Sequence, residues 1–300
     1  MEMKKIFLFC LSLAAASVLY SQKTDKKLQQ KIELLVSGFK GTVGVYIKDI
    51  KTGKEAMYNA DTIFPTASIV KVPILLGIMD KINKRELEYE QELIYKDSLL
   101  YEGEDILGSF KSNEKILLKK VMMLMLTTSD NTASLWLQSL AGKGTRINEI
   151  LDSLGFISTR VNSRTPGREN NRTQYGWGQS TPKEMALLFE KIYKKEIINE
   201  AACDRMMRCL GRNYWDLNEA ISQIPPTIEV FSKNGCVDAT RNEVLLVNAP
   251  HHPFIMSIFT KNNEDQRWVH DNEAWALARK LAAMLWKYFE PGFPYTSPQQ

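Results

Sequence analysis

Thr66-Ala67-Ser68-Ile69-Val70-Lys71, running on into the apolar Val72–Met79, is the stretch from which the rest of the chain is best read. Its helical periodicity predicts a helix over Ser68–Asn83 that opens on two polar residues, Ser68 and Lys71. Residues three apart share a helix face, so these two lie one above the other at the helix start. Upstream, residues 25–38 read as an amphipathic helix with Leu28, Ile32, Leu35 and Val36 on one face. Strand patterns at Thr42–Asp49 and Glu55–Asn59 follow, joined through Lys51-Thr52-Gly53-Lys54 as a hairpin. Downstream the chain is mostly helical as far as Trp215, with helices predicted over Leu117–Leu126, Thr132–Leu140, Arg146–Leu154 and Pro182–Lys194. Strand patterns return at Thr227–Lys233, Asn242–Val247 and Phe254–Thr260, and an amphipathic helix over Asn272–Phe289 closes the chain. Strands from both ends around a helical middle predict an α/β (α+β) fold. It consists of one antiparallel sheet flanked by helices, from residues 22–64 and 216–300, and an all-helical lobe from 65–215.

The first residues speak of compartment. Lys4 and Lys5 precede an apolar run, Ile6–Tyr20, that ends in small residues Ala14, Ala15, Ala16 and Ser17. A basic start, a short apolar stretch and a small-residue exit read as a signal peptide over residues 1–21, which predicts a secreted, periplasmic protein. The run is short for a membrane-spanning helix, so no stable membrane insertion is expected. Cys10 lies inside the run after bulky Phe9, which argues against a lipoprotein. The net charge of +4 falls to +3 without Glu2, Lys4 and Lys5, and no basic stripe with interleaved aromatics appears, so nucleic acid is not an expected partner. Past the signal segment the cysteines are Cys203, Cys209 and Cys236; an odd number rules out full pairing within one chain, and free buried thiols are expected over a Cys203–Cys209 disulfide. The cysteines show no metal-ligand spacing, and His251, His252 and His270 read as surface or loop residues, so no metal or other cofactor is expected, nor a Ser–His–Asp triad. A monomer is expected.

Three short motifs carry chemistry. A serine hydroxyl is a poor nucleophile at neutral pH and needs a base nearby. A lysine amine can serve where burial and cationic neighbours lower its pKa, and the helix start offers backbone N–H groups to a developing oxyanion. Ser68-x-x-Lys71 fits that description. Ser129-Asp130-Asn131 follows the apolar Val121–Leu126 and precedes a helix, where a capping role alone would also explain it. Lys233-Asn234-Gly235 lies at the end of a strand pattern.

In that order, and with intervals of 61 residues from Ser68 to Ser129 and 104 from Ser129 to Lys233, the set resembles the Ser-x-x-Lys, Ser-Asp-Asn and Lys-Thr-Gly signature of class A β-lactamases and penicillin-binding proteins, with Asn234 replacing the threonine. The resemblance spans roughly residues 30–289. It implies a serine hydrolase in which Ser68 forms an acyl-enzyme, Lys71 assists proton removal and Ser129 relays a proton to the leaving nitrogen. It further implies that Asn131 binds the substrate's side-chain amide, and that Lys233, with Asn234 and Gly235, lines the substrate carboxylate. The N–H groups of Ser68 and of Val237 or Cys236 would form the oxyanion hole. Thr240 and Arg241 fall where family members bind that carboxylate, although a structural ion pair of Arg241 with Glu243 or Asp238 fits equally well. The substrate would be a β-lactam or a D-alanyl peptide.

The pattern breaks on the polar loop Thr159–Gln179. Family spacing places the glutamate that activates the deacylating water at Thr165, next to Pro166, and the following asparagine at Glu169. Either Glu169 replaces the missing base, giving a working β-lactamase, or the chain is a D-alanyl-D-alanine peptidase or a sensor that stays acylated.

Overall fold

The computed structural model describes residues 24–298 apart from 104, 212 and 216–218; the segment read as a signal peptide, with Cys10, lies outside the described residues. Helix α1 (Lys26–Val36) is capped by Asp25, whose carboxylate accepts from the Leu28 N–H. Strands β1 (Thr42–Asp49) and β2 (Glu55–Tyr58) follow as an antiparallel hairpin. Asp49 Oδ1 accepts from the Lys51 and Thr52 N–H groups, and Gly53 takes a left-handed φ of +72°, which together close the turn. The helical lobe comprises α2 (Lys71–Asn83), α3 (Leu118–Thr127), α4 (Asn131–Leu140), α5 (Lys143–Ser153), α6 (Glu169–Tyr175), α7 (Pro182–Tyr193) and α8 (Glu200–Leu210). Strands β3 (Val230–Val237), β4 (Thr240–Val247) and β5 (Phe254–Lys261) then complete the sheet before the last helix, α9 (Glu273–Phe289).

The sheet runs β2-β1-β5-β4-β3, antiparallel throughout, so the first and last portions of the chain share it as predicted. Side chains alternate between its faces. Val45, Ile47, Leu245, Val247, Met256 and Ile258 pack under α1 and α9 with Ile32, Leu281 and Leu285. Tyr46, Val244, Leu246, Ile255 and Phe259 face the other way and join the core of the helical lobe, which centres on Ile74, Leu75 and Ile78 of α2. Because both faces are covered, β4 is buried along its whole length, its apolar Val244–Val247 half and its polar Thr240–Glu243 half alike.

Three predicted elements differ. The helix expected from Ser68 starts as a 3₁₀ turn over Ala67–Val70 and becomes α-helical at Lys71. Strand β3 ends at Val237 instead of Lys233, since Gly235 lets the strand continue where a side chain would collide. The loop 159–179 holds a helix, α6, and a short ladder between Arg160–Val161 and Gly178–Ser180, where only irregular chain was expected. Cys203 and Cys209 are free and buried in α8, and burial pushes the Cys209 thiol up to about 12; Cys236 is free and half-buried.

His251 and His252 lie in a surface loop, as expected, and make specific contacts there. They clasp the turn before β5 to the end of α9 and to the β1–β2 hairpin: His251 Nδ1 lies 2.6 Å from Glu290 Oε2, and His252 Nδ1 lies 2.9 Å from Asp49 Oδ2. Glu290 also accepts from the His251 and His252 N–H groups at 2.8 and 3.1 Å. Burial pushes the Glu290 carboxyl upward, but the His251 ring and these backbone donors outweigh it and hold the group below the usual carboxylate range. A carboxyl depressed in the folded state contributes stability above its unfolded value of about 4.3 and loses that contribution as pH falls through the folded value. Glu290→Gln is therefore expected to cost about 1 kcal/mol at pH 7. The gap from the unchanged protein should close below about pH 4. Urea denaturation at both pH values checks this; an equal gap at both removes the His251–Glu290 clasp as its cause.

Candidate active site

The site forms where the turn before α2, the turn before α4 and the end of β3 meet. Lys71 occupies the first turn of α2 and is fully buried. An ammonium out of water is costly unless oxygens surround it. Its Nζ donates to Ser68 Oγ at 3.0 Å, to Ser129 Oγ at 3.0 Å and to Asn131 Oδ1 at 2.9 Å, and makes a short hydrogen bond to the Ser129 carbonyl. The first two predicted motifs thus converge on a single nitrogen.

Two strained residues set this geometry. Ala67, directly before Ser68, has φ +44°, and Ser129 has φ +60°. Such conformations cost about 1–3 kcal/mol each in non-glycine residues and persist only when their surroundings enforce them. The left-handed turn at Ser129 points its carbonyl and its hydroxyl at the same amine. Next to it, buried Asp130 caps α4 through the Ala133 N–H at 2.7 Å. Its other oxygen accepts from Ile106 and Leu107 N–H at 2.7 and 2.8 Å. Asp130 therefore fixes Ile106 and Leu107 beside the site, and a Cβ on nearby Gly103 would stand 2.9 Å from Asn131 Nδ2. Tyr101 on that segment meets Trp177 of the 159–179 loop edge to face, with ring centroids 5.1 Å apart.

The third motif touches the nucleophile turn directly. A Cβ on Gly235 would lie 2.4 Å from the Thr66 carbonyl and 2.9 Å from the backbone nitrogens of Ser68 and Ile69. Only glycine permits β3 and the Ser68 turn to approach so closely. Lys233 is fully buried and donates to Asn234 Oδ1 at 3.0 Å. Asn234 Nδ2 in turn donates to Glu219 Oε1 at 3.1 Å, and Asn213 Nδ2 reaches Asn234 Oδ1 at 3.3 Å. Glu219 and Asn213 were not picked out from sequence; both lie in an aperiodic stretch where no local pattern marks a buried polar residue. The exposed Val237 and the buried Thr240 pair across the end of the β3–β4 hairpin.

Arg241 departs from its expected role. Its guanidinium is buried: Nη1 donates to the carbonyls of Val237, Asp238 and Thr240 at 2.5, 2.7 and 3.0 Å, and the group lies over the rings of Trp268 and Trp275 at 4.2 and 4.8 Å. It buttresses the hairpin end, and these contacts are to carbonyls and aromatics rather than to Glu243 or Asp238 carboxylates. Glu243 instead accepts from the Ala220 and Ile221 N–H groups.

Glu169 likewise is not gathered into the Ser68 cluster. It is exposed at the start of α6, accepts from the Gly167 N–H at 3.1 Å, and borders a cavity of about 470 Å³ with Gln138, Ser139, Lys143 and Thr165. Thr165 is buried, with its hydroxyl donating to the carbonyls of Val161 and Ser163 at 3.1 and 2.9 Å, against Gly144 of α5. The loop is held by amides: Arg168 donates to Asn162 Oδ1 and Gln179 Oε1 at 2.7 and 2.9 Å, and Gln138 of α4 bonds Ser163 at both its carbonyl and its hydroxyl. Burial, and then the charge of Arg160, pull the Arg168 guanidinium below its ordinary value. A concavity of about 1200 Å³ lies between α8 and the chain entering β3, lined by Met207, Ile224 and Phe231 and not by Ser68.

A family model described as the beta-lactamase enzyme family matches residues 27–289. Beta-lactamase VEB-1 of Pseudomonas aeruginosa is 23% identical over 95% of this chain and 98% of its own, and a beta-lactamase of Bacteroides uniformis is 25% identical over 79% and 81%. Among solved structures, PBP-A superposes with a TM-score of 0.79 at 23% identity, covering 90% of this chain and 98% of that one. A point mutant of PBP-A, TM-score 0.78 at 23% identity with the same coverage, is an acyl-enzyme complex with penicillin G. At such identity these structures share the fold.

The Gly235 contact yields an expected outcome. Gly235→Ala forces β3 or the Ser68 turn to shift and is expected to destabilise the protein by about 1–3 kcal/mol, the range for overpacking a close contact. Urea denaturation measures it. An alanine variant of unaltered stability removes the close approach as a constraint on the site.

Proposed function

The chain belongs to the beta-lactamase enzyme family, and on that footing we propose that Ser68 opens β-lactam rings through a covalent acyl-enzyme. The observation that carries this reading is one buried amine, Lys71 Nζ, 3.0 Å from both Ser68 Oγ and Ser129 Oγ. Ser68 Oγ attacks the lactam carbonyl and gives its proton to Lys71 as the Lys71 ammonium passes one of its own to Ser129 Oγ. Through Ser129 a proton reaches the lactam nitrogen as the C–N bond breaks, so the serine ends as an ester and the nitrogen as an amine. Gly235 abuts the Ser68 nitrogen, which favours the N–H groups of Ser68 and Cys236, its chain neighbour, as the oxyanion donors over that of Val237 at the hairpin end. Asn131, anchored on Lys71, is suited to receive the substrate's side-chain amide, and Lys233 with Asn234 closes the far end of the site.

Hydrolysis of the ester needs a water and a group to take its proton. Thr165 turns towards α5 and Glu169 stands exposed on α6, so deacylation is the slow step and Glu169 has no part in it. The same geometry favours, as a second reading, a D-alanyl peptide as natural acyl donor. The basic, apolar and small-residue start of the chain supports export to the periplasm, where we take the protein to act as a monomer.

Two outcomes follow. A fluorescent penicillin is expected to add one acyl group per chain, on Ser68, by intact mass and peptide mapping, and Lys71→Ala should slow that acylation at least about 10²-fold. Labelling that persists in Ser68→Ala sinks the assignment. Stopped-flow measurement with a chromogenic cephalosporin is expected to give a burst of one equivalent followed by slow turnover, with Glu169→Gln leaving the slow phase within about twofold. A deacylation rate that collapses in Glu169→Gln would restore Glu169 as the base, and faster turnover of a D-alanyl-D-alanine peptide would favour the second reading.

A further inference from the structure

The turn that carries Ser129 is held from a second side besides Lys71. Helix α3 ends at Thr127, and Ser129 takes the left-handed position just past a helix end that glycine usually fills. The last carbonyls of a helix have no donors within it. Here the donors come from 87 positions downstream: the Tyr214 N–H donates to the Thr127 carbonyl at 2.8 Å, and the Trp215 indole Nε1–H donates to the Thr128 carbonyl at 2.7 Å. The Ser129 carbonyl goes to Lys71 Nζ. The successive carbonyls of Thr127, Thr128 and Ser129 thus have three different donors. The 213–215 segment is itself tied down: the Trp215 N–H donates to Asn213 Oδ1 at 3.3 Å, and Asn213 Nδ2 donates to Asn234 Oδ1 at 3.3 Å. It therefore joins the second motif to the third.

These bonds have a consequence for the Ser129 hydroxyl. The angles φ and ψ set how the two rigid peptide planes flanking a Cα are turned about it. The plane after Ser129 is held twice, by Lys71 at the Ser129 carbonyl and by the Asp130 N–H, which donates to the Leu124 carbonyl at 3.2 Å. The plane before Ser129 contains the Thr128 carbonyl, which Trp215 holds. With both planes fixed, the direction of Cβ and of its hydroxyl is fixed too. With only the second fixed, rotation about Cα–C swings the hydroxyl away and lets Ser129 relax from its strained φ of +60°. Burial does not account for the aromatic pair at this place: Tyr214 is 61% and Trp215 45% exposed, and their rings meet edge to face with centroids 4.9 Å apart. What Trp215 supplies is a group that can only donate, at the end of a stiff ring that reaches the turn.

We propose that Trp215 is a positioning residue for Ser129: its indole N–H, through the Thr128 carbonyl, aims the Ser129 hydroxyl at the leaving nitrogen of the acyl donor. The proposal rests on the Ser68 acyl-enzyme reading and deepens it. The contribution of Trp215 is confined to the proton that Ser129 delivers as the C–N bond breaks, so it vanishes where residue 129 has no hydroxyl to aim.

The test is a double-mutant cycle on the second-order acylation of Ser68 by benzylpenicillin, followed by intact mass. Trp215→Phe keeps an aromatic ring and removes the donor. In the otherwise unchanged protein it is expected to slow acylation about tenfold, a part of the roughly 10²–10⁴-fold that a general acid contributes. In Ser129→Ala the same replacement should change the rate by less than about twofold. A merely structural role, in which loss of Trp215 loosens the site at large, slows both backgrounds alike and overturns the proposal. So does a Trp215→Phe protein that acylates at the unchanged rate. Should Trp215→Phe fail to fold, Trp215→Leu removes the same donor, and the same difference between the two backgrounds is required of it. Failure of the underlying reading looks different: then benzylpenicillin leaves no acyl group on Ser68 even in the unchanged protein.

Discussion

A single ammonium group, Lys71 Nζ, buried without access to water, is the constraint around which the rest of the site is arranged. Such a charge is tolerated only when oxygen acceptors replace its hydration. Three come from about 60 positions downstream, the Ser129 carbonyl and hydroxyl and the Asn131 amide oxygen, and one from Ser68 on its own turn. Meeting that need forces Ser129 into a left-handed conformation. Asp130 then cannot remain a solvent-facing cap: it is carried into the interior, where its two oxygens take up the start of α4 and the N–H groups of Ile106 and Leu107. The catalytic geometry and the order of the covering segment thus have a common origin.

The second constraint is steric. The sheet and the helical lobe meet at Gly235, where backbone presses on backbone with no room for a methyl group. That contact makes the edge strand β3 one wall of the site and brings the third motif to the first. The 159–179 loop forms the opposite wall, since Gly178 pairs with Thr66 and lies against Val70. Three segments far apart in sequence therefore share the turn that holds Ser68.

Electrostatics separates this site from the pattern its motifs suggest. The loop is held by amides around Arg168, and its nearest candidate acid, Glu169, is left at the surface. At the other end, Arg241 is consumed by the hairpin it terminates, and Asn234 couples Lys233 to Glu219. Both departures act on charge while leaving the Ser68–Lys71–Ser129 cluster intact.

Periodicity was enough to place most elements. The apolar stripes of α1 and α9, and the strand patterns at both ends of the chain, determine one antiparallel sheet around a helical lobe, because burial of a face at period 2 or 3.6 is a local property. The order and spacing of Ser68-x-x-Lys71, Ser129-Asp130-Asn131 and Lys233-Asn234-Gly235 likewise picked out three segments that the fold brings together. Sequence alone extended that logic too far at Glu169 and Arg241, where position along the chain was taken for position in space. A residue four places along a loop faces wherever the local backbone turns it, and α6 turns Glu169 outward. An arginine two residues past a hairpin turn follows its nearest acceptors, and here those are carbonyls and two indoles from residues 268 and 275. Glu219 carries no local signature at all. Its significance comes from lying beside Asn234, and that proximity exists only once β3 has been packed against the chain that precedes it, because pairing over distance is a property of the folded whole.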